Sequence, residues 1–211
     1  MANVVLYGNP LSTYVRSARI ALAEKSVAYE MGPADLESDG YKALHPFAKM
    51  PAFRHGDYTL YETAAILRYV DEAFEGPKLQ PEDARGRAEM EKWISSVNAY
   101  YDPVIVRQFL AERVIAPLFG RQPNEQRVKD SLPAIDHRLA VLDRELSGRR
   151  YLAGEGASLA DILLLPMMFY FEKTPEGGKA LGGRGNVARW RREMDARPAV
   201  AATIPPRPRA A

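Results

Sequence analysis

An α/β N-terminal domain with a mixed four-stranded sheet, followed by an all-α helical-bundle domain, is the architecture this sequence predicts, and three observations carry it. The first 77 residues interleave short β-type runs with helical periodicity in the order β-α-β, then β-β-α. Glu75-Gly76-Pro77, followed by Lys-Leu-Gln-Pro-Glu-Asp, reads as a helix stop and a linker. Beyond it no strand pattern appears, and apolar residues recur at helical spacing. The expected boundaries are 1–77 for the first domain, 78–85 for the linker and 86–211 for the second.

Taken in order, Val4-Val5-Leu6-Tyr7 is an apolar β-type run stopped by Gly8-Asn9-Pro10, a buried strand ending in a turn. Ser12 and Thr13 are N-cap residues, and Val15, Ala18, Arg19, Leu22 and Ala23 have helical spacing through Lys25. Residues 27–31 form a second strand, broken by Gly32-Pro33, so the chain opens with a right-handed βαβ unit. Residues 35–44 are polar and leave room for at most one irregular helix. Pro51 opens a strand over 52–55, Gly56-Asp57 turns the chain, and 58–60 returns. A helix over 62–74 then presents Ala65, Ile66, Tyr69 and Val70 on one face. This is the thioredoxin-like order. In the second half one long helix is expected over 83–116, kinked at Pro103, and another over 124–146 containing Pro133. A strongly apolar helix over 159–171 and a short basic one over 186–196 follow. Ser158-Leu159-Ala160-Asp161 is a capping box with Asp in place of the usual Glu. Residues 198–211, with four prolines and five alanines, read as a surface or disordered tail.

Apolar residues make up 46% of the chain and charged ones 27%, which are globular proportions. There is no cysteine, so disulfides, thiolate metal sites and dithiol redox chemistry are excluded. The N-terminus has no basic region of a signal peptide, and no apolar run approaches the roughly 18 residues of a membrane span, so a soluble cytoplasmic protein is expected. The first 77 residues carry 7 Lys/Arg against 10 Asp/Glu, and the remainder 22 against 17. The basic surplus sits late, in Arg184, Arg189, Arg191, Arg192, Arg197, Arg207 and Arg209, with little aromatic interleaving. A solvated helix face and a frayed tail account for it, and no nucleic-acid partner is expected. His45, His55 and His137 show neither metal-ligand spacing nor a nucleophile partner, and no metal is expected.

Residues 45–63 carry the chemistry. Pro51 forces the residue before it into an extended conformation, leaving the Met50 backbone free to pair with a peptide-like ligand. Nine residues on, Leu60-Tyr61-Glu62-Thr63 delivers a helix N-terminus with an acid and a hydroxyl. Its unpaired N–H groups suit a carboxylate and Glu62 suits an ammonium, a combination that fits the α-carbon end of an amino acid.

His-Pro-Phe-Ala-Lys-Met-Pro-Ala-Phe followed by Leu-Tyr-Glu-Thr-Ala-Ala-Ile-Leu-Arg-Tyr-Val closely resembles the glutathione-binding half of soluble glutathione S-transferases. The Ser-Leu-Ala-Asp box resembles the one that opens the core C-terminal helix of the same family, so the likeness spans both halves. It implies a cis-Pro51, with Met50 pairing through its backbone to the cysteinyl part of glutathione and Glu62 and Thr63 holding the γ-glutamyl end. Lys49 occupies the position that many relatives use near the glycine carboxylate. The 38–44 segment is shorter than in plant-type serine enzymes, so their His-Lys contact has no clear counterpart. The reaction implied is attack by the glutathione thiolate on a small hydrophobic electrophile. Ser12, at a strand-to-helix turn four residues before Arg16, is the expected thiol-activating hydroxyl, as in the serine-dependent, theta/phi-like bacterial enzymes; Thr13, Tyr14 and Tyr7 are alternatives. Tyr100, Tyr101, Val104, Arg107 and Gln108 on the long helix, with Met167, Phe169 and Phe171 on the apolar one, are expected to wall the electrophile site. Phe47 is the expected dimer-interface residue of a homodimer. A non-catalytic protein of the same fold, or a glutathione-dependent peroxidase or isomerase, is the alternative reading.

Overall fold

The computed structural model describes residues 3–206. Residues up to Gln80 together with Ala196–Pro206 form one compact unit, and Pro81–Asp195 form another.

In the first unit β1 (Val4–Tyr7), α1 (Thr13–Glu24), β2 (Glu30–Gly32), α2 (Asp39–Leu44), β3 (Ala52–His55), β4 (Tyr58–Tyr61) and α3 (Thr63–Ala73) follow one another. The sheet order is β2-β1-β3-β4, with β1 parallel to β2 and the other pairs antiparallel. Alternation along β1 buries Val4 and Leu6 with Phe53, Val15, Ile20, Leu22, Ile66 and Val70 in a solvent-free core. The second strand starts three residues later than the sequence predicts. Ser26 takes a left-handed φ of 53° and the Val27 amide turns back to Leu22 O, so the chain there completes the exit of α1. Ser38 caps α2 through the Tyr41 amide, giving the polar 35–44 segment its single short helix.

One interaction of this unit is invisible in the sequence. Lys25, just past α1, meets Asp71 of α3 at 2.7 Å with both side chains essentially without solvent. Asp71 also accepts the Leu79 amide at 2.9 Å and the Gln80 side chain at 3.1 Å, so one buried carboxylate fastens α1, α3 and the outgoing chain. Gly76 passes this junction at a φ of 126°, where an added Cβ would lie 3.3 Å from Lys25 Cα.

The second unit contains α4 (Ala84–Ser96), capped by Asp83, and continues without a break into Val97–Ile115, where the winding loosens to the π form, then into α5 (Ala116–Leu118). The sequence predicts a kinked α-helix here. Pro103 lies inside the loosened stretch, and a proline both lacks the amide that an α turn needs and crowds the preceding turn. Helices α6 (Glu125–Glu145), capped by Asn124, and α7 (Leu159–Phe171) are found where expected. Asp161 accepts from Ser158 N and Oγ, from Leu152 N and from Trp190 Nε1, all within 3.0 Å. The capping box is therefore also the centre of a buried network. A short helix not read from the sequence, α8 (Pro175–Leu181), precedes α9 (Gly185–Asp195).

The last described helix, α10 (Pro198–Ala202), corrects the expectation of a loose tail and of a second domain running to the terminus. It packs on α1, burying Ala199 and Val200, and Arg197 holds Glu24 with two bonds of 2.7 and 2.9 Å. Most of the late arginines among the described residues are likewise engaged with the protein, Arg192 alone of the α9 set being exposed. Arg184 pairs with Asp136, Arg191 is buried against Glu172 and Asp195, and Arg189 caps the carbonyls of Leu146 and Arg149. The expected residues Arg207 and Arg209, and the rest of the tail after 206, lie outside the described residues.

Candidate active site at one end of the sheet

Strand register assembles the site. Tyr7 is opposite Ala52, and Ala52 is opposite Tyr61, so the end of β1, the start of β3 and the end of β4 lie side by side. The chain that leaves or enters at these points is Gly8–Ser12, Met50-Pro51 and Glu62-Thr63. At ~4.8 Å between neighbouring strands, the three segments are spread over about 10 Å, the reach of a small extended peptide. The sequence-predicted residues Ser12, Met50, Pro51, Glu62 and Thr63 are thus brought to one edge.

Ser12 is half-buried and is the N-cap of α1; its Oγ accepts the Val15 amide at 3.5 Å. A capping hydroxyl uses only its lone pairs, so the Ser12 O–H is left to donate outward. No acidic side chain stands in the first turn of α1, so nothing there opposes an anion at this helix end. Thr13 is buried inside the first turn. The Tyr7 ring lies against Gly32, where an added Cβ would come within 2.4 Å of it, and the Arg54 guanidinium sits 5.7 Å from its centroid. That is the sheet face opposite Val4 and Leu6, and the packing fixes the Tyr7 ring there.

The Met50-Pro51 peptide is cis. Met50 Sδ accepts the Asn9 amide at 3.5 Å, which ties the loop after β1 to the loop before β3. Lys49 is exposed, while its carbonyl accepts the buried Tyr41 hydroxyl at 2.7 Å. Burial raises the Tyr41 phenol above its ordinary value, keeping it a donor. Glu62 is exposed and has a φ of 68°, in the left-handed region where a side chain other than glycine's is strained. It is the N-cap of α3 yet makes no cap bond, so its carboxylate is free of the helix it introduces. Thr63 is buried at the first turn.

Sequence reasoning missed three contributors here. Asn9 had a local signal, since its Oδ1 takes the Leu11 amide in the tight turn that Asn-Pro announces. Tyr41 and the ring packing of His45 with Phe47 and Tyr61 had none, because each depends on contacts across the unit.

The residues expected to wall the electrophile site are not brought together as a set. Tyr100 and Tyr101 line a groove of about 440 Å³ with Trp93, His137, Arg138 and Val141 of the same unit. Tyr101 is buried there, its hydroxyl bonded to Arg138 O at 2.9 Å. Val104 and Arg107 do not line this groove; Val104 is buried and Arg107 is exposed, bonded to Asp102 at 3.0 Å. Gln108 is exposed, Met167 and Phe171 are core residues, and Phe169 carries Lys173 Nζ 4.0 Å above its ring. Among the described residues no group of acidic, histidine or cysteine side chains could hold a metal ion, and no helix is long and apolar enough to cross a membrane.

Residues 6–78 match the family model for the glutathione S-transferase N-terminal domain, and residues 106–198 that for the glutathione S-transferase C-terminal domain. Glutathione S-transferase F13 of Arabidopsis thaliana is 31% identical over 208 residues, covering 95% of this chain and 94% of its own. Among solved structures, glutathione transferase F7 from Populus trichocarpa superposes with a TM-score of 0.87 at 30% identity, covering 95% of this chain and 97% of that one. Glutathione S-transferase I from mais, solved in complex with an atrazine glutathione conjugate, gives 0.87 at 27% identity over 96% of both chains.

Proposed function

We propose how this chain holds and activates its thiol from one premise: it belongs to the glutathione S-transferase family and is a glutathione transferase, with glutathione as co-substrate. In this reading the enzyme is of the serine-dependent, theta/phi-like type. The Ser12 hydroxyl donates to the glutathione sulfur, and the unpaired amides at the start of α1 add their partial positive charge. Both stabilise the thiolate over the thiol and so lower a pKa of about 8.5 towards neutrality. The thiol proton leaves to solvent first; the sulfur lone pair then forms a C–S bond at the electrophilic carbon, which either releases its leaving group with the bonding pair or, at a double bond, passes the π pair to the far atom, where a proton from water is taken up.

Met50 pairs through its backbone with the cysteinyl residue beside Pro51, Glu62 takes the ammonium and the α3 amides at Thr63 take the γ-glutamyl carboxylate, while Lys49 faces the glycine carboxylate. The observation that supports this assignment is the register Tyr7-Ala52-Tyr61, which puts three ligand-binding segments on one sheet edge. On the second unit we keep Val104 and Arg107 for the electrophile. We assign Tyr100 and Tyr101 first to the groove they line, with an electrophile contact for the exposed Tyr100. Detoxification of small hydrophobic electrophiles in the cytoplasm is the role this chemistry suits. Glutathione should raise the melting temperature, since it binds only the folded protein. Glu62→Ala should remove most of that rise, because the ammonium is left without a partner. Equal stabilisation of wild type and variant would end the assignment of Glu62.

A homodimer built on Phe47 completes the reading. Phe47 is 65% exposed in the loop before Pro51, which leaves its ring available to a second copy. The groove beside Trp93, Tyr100 and Val141 in a second copy has the apolar walls to receive it. Phe47→Ser should therefore raise the dimer dissociation constant by tenfold or more, about 1.5 kcal/mol for one buried aromatic. Light scattering that finds a monomeric wild type at micromolar concentration would refute this.

A further inference from the structure

His45 is 3% exposed, and its surroundings are all parts of the glutathione site just described. Its ring lies 5.0 Å from that of Tyr61 and 6.3 Å from that of Phe47, and Phe47 and Tyr61 are themselves 6.0 Å apart, so three rings close on one another. Tyr61 directly precedes Glu62, and Phe47 lies two residues before Lys49. His45 ends α2, its backbone amide bonded to Tyr41 O and its carbonyl taking the Ala48 amide, so the imidazole is rooted at the base of the 45–51 loop. The buried Nδ1 meets no hydrogen-bond partner on a neighbouring residue among the described residues, and the ring is packed as an aromatic plate. The ionisable groups that face it are Glu62, beyond Tyr61 on β4, and Lys49 on its own loop; the Tyr41 phenol, raised by burial, stays a neutral donor to Lys49 O.

We propose that His45 is a positioning residue with a built-in pH response: as a neutral plate it seats Tyr61-Glu62 and the Phe47–Lys49 turn for glutathione, and once protonated it sets a second cation beside Glu62, in competition with the ammonium of glutathione. The inference rests on the assignment of Glu62 as the ammonium's partner. Burial holds the His45 imidazole below its usual value of 6.5, Glu62 and a hydrogen bond to its own backbone pull it back up, and Lys49 presses it down. The proton therefore enters only when the pH falls below the ordinary imidazole range. Glutathione affinity is full above that range and declines as the pH drops through the folded-state value. The carboxylates of glutathione stay ionised above pH 5, whereas its thiol, stabilised as thiolate in the site, would itself weaken binding as it protonates; S-methylglutathione has no thiol to titrate, so the decline measured with it belongs to the protein.

Calorimetric titration of the wild-type protein with S-methylglutathione from pH 7.5 to 5.0 should show affinity falling about three- to tenfold, the scale of one added like charge next to the ligand's. His45→Phe, which keeps an aromatic plate without the proton, should hold affinity at pH 7.5 and flatten the profile. The His45 ring proton resonance of the wild type, followed by NMR, should titrate at the same pH as the affinity, and this readout needs no variant. A purely structural role for His45 would weaken binding equally at every pH. A pH profile that survives in His45→Phe, or a wild-type affinity that stays flat while the His45 resonance titrates, overturns the proposal. Glu62→Ala separates the two readings: normal binding by Glu62→Ala at pH 7.5 removes the Glu62 assignment and this inference with it. Weakened binding by Glu62→Ala, combined with an unchanged slope in His45→Phe, removes this inference alone.

Discussion

Asp71→Ala should destabilise the protein by about 3–5 kcal/mol, the usual cost of leaving a buried charge without its partner. Lys25 Nζ has Asp71 Oδ1 at 2.7 Å and no solvent to turn to, and the Leu79 amide and the Gln80 side chain lose the same acceptor. For a chain of this size that amounts to a fall of roughly 10 °C or more in melting temperature. The charge, rather than the cavity, is the cause. Removing the charge from both partners while keeping an acceptor for the Leu79 amide, as in Lys25→Met with Asp71→Asn, should therefore recover most of the loss. Thermal or denaturant unfolding of the three proteins decides it. A single Asp71→Ala variant within about 1 kcal/mol of wild type would mean that the ammonium finds water in spite of its burial.

The second large effect is on the reaction. Ser12→Ala should leave glutathione affinity within a few-fold, because in the proposed reading Met50, Glu62 and Thr63 hold the tripeptide. The rate should fall by one to two orders of magnitude. A hydrogen bond to a charged sulfur is worth about 1.5–3 kcal/mol, so the bound thiol's pKa should rise by roughly one to two units. Thiolate absorbance in the ultraviolet, titrated against pH with glutathione bound, reads that shift. Loss of the cap at Val15 also weakens α1, so the comparison is made per folded molecule. An unchanged thiol pKa in Ser12→Ala, with a raised one in Tyr7→Phe or Thr13→Ala, would move the role to that residue.

What could be read directly from the sequence are features whose cause lies within one turn of the chain. Ser12 and Asn124 cap the helices they precede, Ser158 and Asp161 share a box, Pro51 opens a strand, and Gly76-Pro77 closes the first run of elements. In each case the donor, the acceptor and the backbone constraint sit on adjacent residues, so composition and spacing suffice. The same holds for the place of Pro51 just before β3 and of Glu62-Thr63 at the start of α3, while the roles proposed for them rest on the family resemblance.

What only the tertiary structure decided are contacts between residues far apart in the chain. The sheet register sets the start of the loop after β1 beside Met50-Pro51 and Glu62. Lys25 reads as an ordinary helix-ending lysine until α3 brings Asp71 to it. His45 looks like a loop histidine until Tyr61 and Phe47 close around its ring. The strand expected over 27–31 moved because its first residues went to the exit of α1, a choice settled by pairing with β1. Residues 198–202, polar-flanked and rich in alanine and proline, became α10 because Glu24 and the surface of α1 were there to receive Arg197, Ala199 and Val200. Local propensity differs by less than about 1 kcal/mol per residue among most alternatives, whereas burying one apolar side chain or pairing one buried charge is worth more, so packing has the last word wherever the two disagree.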